Sequence, residues 1–185
     1  FRMYGGEVLP GTATTGELCN QKLMVKEAYN GDNIYIAAAT ANISGGKITV
    51  SGSAIIQNGT ATGTSGTGGN FFLGANDTTN AELTVKGGTI SGGSSATNGG
   101  NIYVSSGTLN VYGGTITGGT AKNGNGGNIH GASSTTIKIS GGTISGGKAE
   151  GSSKQGGNIN IAAATLEISG GTITGGTSSR YGGNI

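Results

Sequence analysis

The chain has 185 residues, 42 of them glycine, with a single cysteine and a formal net charge of +2. Leu, Ile, Val and Phe together number 34, too few to fill a thick spherical core at this length, yet the near-neutral charge and abundant isoleucine do not fit a disordered chain. Charged residues make up 10% of the chain and form no basic run, so neither nucleic acid nor an anionic membrane is an expected partner, and no stretch approaches the roughly 20 apolar residues of a membrane span.

Read from the N-terminus, one block recurs: apolar, x, apolar, x, Gly-Gly, x, apolar. The first copy is FRMYGGEV from Phe1. Residues 9–32 then break the pattern and are expected to protrude as an inserted loop. Within them Cys19 has no second cysteine in the chain to pair with; in a secreted protein it stays free or bridges to another chain. The second copy reads either as ANISGGKI from Ala41 or as ITVSGSAI from Ile48, and the two registers fit about equally. Residues from roughly 50 to 69 are expected to form a second inserted loop. Four further copies follow as LTVKGGTI from Leu83, LNVYGGTI from Leu109, IKISGGTI from Ile137 and LEISGGTI from Leu166, spaced by 26, 28 and 29 residues. A second motif, Gly-Gly-Asn before an apolar residue, alternates with the block at Asn70, Asn101, Asn128, Asn158 and Asn184, with a variant at Asn33.

Apolar residues at every second position, in runs of three to five bounded by glycine pairs, predict short strands and tight corners. One repeat holds three such runs, at 101–104, 109–112 and 115–117. The expected fold is all-β: a right-handed parallel β-helix of about six coils of 26–30 residues, three short strands per coil, with two loop insertions in the N-terminal half and one solenoid segment spanning 1–185. Phe1, Leu83, Leu109, Ile137 and Leu166 form one inward file, and Val8, Ile48, Ile90, Ile116, Ile144 and Ile173 another. Asn33, Asn70, Asn101, Asn128, Asn158 and Asn184 fall at one phase of the coil. Their amides would lie about 4.8 Å apart, as in a hydrogen-bonded ladder. Tyr35, Phe72, Tyr103 and His130, each two residues after such an asparagine, are expected to stack on the outside.

These GGTIxGG and GGNI coils resemble the Gly-rich right-handed β-helix repeat proteins of gut and rumen bacteria, which are long surface or secreted solenoids. The resemblance covers nearly the whole chain. It implies an extracellular or cell-surface structural protein, a filament, tube or stalk.

Chemistry is sparse. The eight carboxylates fall at different phases of the coil, so no catalytic residue, metal site or cofactor is expected and the chain is not read as an enzyme. Lys138 and Glu167 share a phase in adjacent coils and are expected to form a surface ion pair. Calcium β-rolls need repeated aspartates, and only two are present. Thr89 and Ser91, Thr115 and Thr117, Thr143 and Ser145, and Thr172 and Thr174 flank inward isoleucines in four consecutive coils. Two outward hydroxyl files of this kind are similar to the Thr-x-Thr face of ice-binding β-helices, interrupted in earlier coils by Glu7, Leu9 and Lys47. A carbohydrate-binding or lyase-like β-helix is the other alternative; no glycan ligand can be named. The sequence opens inside a repeat block and closes on Gly-Gly-Asn-Ile185, without polar capping turns. The expected partner is therefore the chain itself, head-to-tail or as the continuation of a longer solenoid, with lateral assembly through the loops.

Overall fold

The computed structural model describes residues 46–74 and 80–185, together with the backbone of three further strands, Glu7–Val8, Tyr35–Ala37 and Ala41–Ser44. Among the described residues every strand pairing is parallel, and the strands stack into one 10-stranded and two 5-stranded sheets. The described residues form a parallel β-solenoid of about four turns, where about six were expected.

One coil shows how the sequence dictates the path. Ile102–Val104 leads into Thr108–Val111, the chain bends at Gly113 and Gly114, Thr115–Thr117 follows, and Thr120–Ala121 closes the turn. The two-residue Thr-Ala run is a fourth strand, too short to register as an alternating pattern. The strands before and after the Gly-Gly bend belong to one sheet, and in the last two coils they run on as single strands, Thr136–Ser145 and Thr165–Thr174, with register shifts on either side of Ser140. The bend needs glycine for two reasons. Gly114 sits at φ 77°, where an L side chain is strained, and a Cβ there would lie 2.7 Å from the carbonyl oxygen of Gly87 in the coil before.

Inward side chains form continuous files. Ile48, Leu83, Leu109, Ile137 and Leu166 stack in register, as do Ile56, Ile90, Ile116, Ile144 and Ile173, and on another wall Phe71, Ile102, Ile129 and Ile159. Most are fully buried. A core one side chain thick explains how so few large apolar residues suffice: each contributes its full burial, about 1.5–3 kcal/mol for a Leu, Ile or Phe.

The register departs from the expected one in the second coil. Gly46–Val50 pairs with Ala81–Val85, placing Ile48 against Leu83, while Ile56 lies against Ile90. Of the two readings, the block starting at Ile48 is the one the chain uses. Ile48 therefore belongs to the Leu83 file, and Ile56 takes its place in the other, continued by backbone register to Ile36 and Val8. Residues 50–69 accordingly do not protrude as a loop. They carry the strands Ile55–Gln57 and Thr60–Ala61, and the Ile56 side chain is buried. The extra length relative to the next coil is divided: residues 62–70 stand between Thr60–Ala61 and Phe71–Gly74, against residues 96–101, and residues 75–80 between Phe71–Gly74 and Ala81–Val85, against residues 105–107. Phe1 and the loop expected at 9–32, with Cys19, lie outside the described residues.

Candidate functional site: an amide row and a hydroxyl face

Asn70, Asn101, Asn128 and Asn158 are fully buried at the turn that precedes the first strand of each coil. The Nδ2 of each donates to the Oδ1 of the next, at 2.7 Å for the first three steps and 2.9 Å from Asn158 to Asn184. The second Nδ2 hydrogen goes to a strand-end carbonyl: Ser91 for Asn70, Thr117 for Asn101, Ser145 for Asn128 and Thr174 for Asn158. Each Oδ1 also accepts a glycine N–H, from Gly59, Gly93, Gly119, Gly147 and Gly176 in turn. Asn101, Asn128 and Asn158 thus use two donors and two acceptor positions, the full capacity of a primary amide. These three amides have no hydrogen-bonding capacity left for a ligand. What the row does is tie three points of one coil together and each coil to the next.

Asn33 lies outside the described residues. The strand Tyr35–Ala37 pairs with Ile55–Gln57, whereas Phe71–Gly74 pairs with Ala41–Ser44. Tyr35 for the same reason is not in the aromatic row. That row consists of Phe72, Tyr103 and His130, with ring centroids 5.6 and 5.3 Å apart and the last two rings parallel. His130 is not a surface residue: it is 4% exposed, and its Nδ1 is buried without a hydrogen-bond partner. Burial pushes its pKa down to about 4, against the opposing hydrogen bond to Asn160.

A second polar row escaped sequence reading. Asn98 Oδ1 accepts the N–H of Asn125, and Asn125 Oδ1 accepts the N–H of Gln155, at 2.8 and 2.9 Å. Its signal was present as an amide residue three positions before three of the ladder asparagines, in Asn98-Gly-Gly-Asn101, Asn125-Gly-Gly-Asn128 and Gln155-Gly-Gly-Asn158.

The hydroxyl residues stand in two files. Thr89, Thr115, Thr143 and Thr172 are in register, as are Ser91, Thr117, Ser145 and Thr174, around the inward isoleucines. Thr117 and Ser145 hydroxyls are 3.0 Å apart and share a hydrogen bond. In the preceding coil the same positions hold Ile55, exposed, and Gln57, followed in backbone register by Tyr35 and Glu7. Lys47 does not interrupt this face. It lies on the neighbouring strand file, where its Nζ is 2.9 Å from Glu82, and this pairing raises its pKa, first through the hydrogen bond and then through the charge attraction. Lys138 and Glu167 are 3.2 Å apart.

Among the described residues no three His, Cys, Asp or Glu side chains group so as to hold a metal ion, and there is no helix long and apolar enough to cross a membrane. Comparison of the chain with family models, curated proteins and solved structures finds no match.

Proposed function

We propose that the chain is a structural module of an extracellular bacterial β-solenoid, a filament, tube or surface stalk, without a catalytic centre. The saturated amide row carries this reading: the most regular polar feature of the molecule is spent on joining coil to coil. Further coils in the same register, from a longer chain or from a second copy stacked head-to-tail, would extend the same solenoid. Electron microscopy of native material tests the proposal. Long fibres of constant width are expected; dispersed particles in native material, together with a monomeric purified chain at every concentration, would overturn it.

An ice-binding face is the second reading, favoured by the two in-register hydroxyl files over four coils. Thermal hysteresis that disappears in Thr117→Tyr would establish it, and unchanged freezing behaviour at millimolar protein would dismiss it.

A further inference from the structure

Asparagine followed by glycine is the sequence context most prone to spontaneous deamidation, because glycine lets the next backbone nitrogen reach the side-chain carbonyl carbon. Four such steps lie in the described residues: Asn58-Gly59, Asn98-Gly99, Asn123-Gly124 and Asn125-Gly126. The solenoid treats them differently. The Gly59 N–H donates to Asn70 Oδ1 at 2.8 Å. Gly99 and Gly126 donate to the carbonyls of Asn125 and Gln155, at 3.0 and 3.1 Å. Asn98 and Asn125 are further held through their own Oδ1 atoms, which accept N–H groups from the following coil. In these three steps the attacking nitrogen is engaged, and at two of them the side chain is fixed as well.

Asn123-Gly124 is the exception. Its asparagine is exposed on the turn after Thr120–Ala121, its side-chain amide makes no hydrogen bond among the described residues, and the buried Gly124 N–H closes that turn onto the preceding strand without a hydrogen bond of good geometry. Glycine cannot be exchanged at 124, since a Cβ there would collide with the backbone of Thr97 in the coil before. The fold therefore builds in the susceptible pair at this turn while shielding the other three.

We propose that Asn123 is a site of spontaneous covalent modification, ageing to aspartate and isoaspartate in the folded protein. The deprotonated Gly124 nitrogen attacks Asn123 Cγ, and Nδ2 leaves as ammonia after taking up a proton, closing a five-membered succinimide. Solvent water then opens the ring at either carbonyl. Cleavage of the Cγ–N bond gives aspartate; cleavage of the other carbonyl–nitrogen bond gives isoaspartate, with the main chain rerouted through Cγ. No oxidant or reductant is involved. The new carboxylate appears on the edge that carries Lys122, Lys148, Lys154 and Arg180 against Glu150 alone, so ageing lowers the positive charge of that edge.

Incubating the folded chain at mildly alkaline pH, followed by peptide mapping and labelling with an isoaspartyl methyltransferase, tests the site. Conversion at Asn123 is expected at least about tenfold faster than at Asn58, Asn98 or Asn125, with the four rates drawing together in denaturant, where only the local Asn-Gly chemistry remains. Asn123→Gln should remove the first event and leave the melting temperature unchanged. Equal rates at the four sites in the folded state would overturn the proposal, as would an intact Asn123 under conditions where the denatured chain converts.

Discussion

At Asn128 the cost of substitution follows from what its amide holds. Asn128→Ala leaves the Gly119 N–H and one Asn101 Nδ2 hydrogen without an acceptor in a dry interior and removes one of two donors from Asn158 Oδ1 and from the Ser145 carbonyl, so a loss of about 3 kcal/mol is expected in chemical denaturation. Asn128→Asp keeps the shape but turns an acceptor-only carboxylate toward two acceptors, and should be no better tolerated; near-parental stability for either variant would remove the row from the account of stability. His130 gives a pH signature. Its pKa falls from 6.5 to about 4 on folding, so above pH 6.5 the residue is neutral in both states and costs nothing. Between 6.5 and 4 the unfolded chain takes up the proton and the native chain does not. Stability should therefore fall with pH across this window, by roughly 3 kcal/mol in all, and level off below it. His130→Phe, which continues the aromatic row, should flatten the slope between pH 5 and 7, read from urea midpoints; an unchanged slope would place its origin elsewhere.

The Thr-Ile-Thr strand shows how one element divides its work. Ile116 is buried without remainder while Thr115 and Thr117 are half-exposed. Ile116→Val should cost about 1 kcal/mol, Ile116→Asp should abolish folding and Thr115→Ala should change stability by less than about 0.5 kcal/mol. Equal melting temperatures for the Asp variant and the parent would contradict the inward placement. This strand was legible in the sequence because its period of two is framed by glycine pairs in every coil. The hydroxyl files and the buried asparagines were legible for the same reason. Ile48 was not settled, since ANISGGKI and ITVSGSAI satisfy the same template and only pairing with Ala81–Val85 separates them. Tyr35 was misplaced because Asp32-Asn33-Ile34 imitates the Gly-Gly-Asn motif in sequence, while Tyr35–Ala37 pairs with Ile55–Gln57 and not with Phe71–Gly74. The burial of His130 depends on stacking between coils, which spacing along the chain does not report.

For the whole molecule, stability should behave as a sum over coils and their contacts. Excising residues 101–127 would join Gly100 to Asn128 and set Phe71 on Ile129, Leu83 on Ile137 and Ile90 on Ile144, partners of the same kind as before. That variant should keep its β-sheet circular dichroism and melt cooperatively at a somewhat lower temperature. Excising only 101–114 would bring strands of different walls together and should not fold; comparable folding of both deletions would argue against a coil as the unit of the structure. The amide row also runs one way, because every amide-to-amide hydrogen bond runs from Nδ2 to the coil that comes later in the sequence. A ribosome delivers these coils in that order. Each coil, once wound, has its oxygen already satisfied by its predecessor and holds out a donor hydrogen and a bare strand edge to the stretch of chain emerging next. Synthesis thus supplies a mould before it supplies the material to be moulded, and winding can keep pace with translation from the N-terminal side without the finished length of the chain ever having to search for its shape.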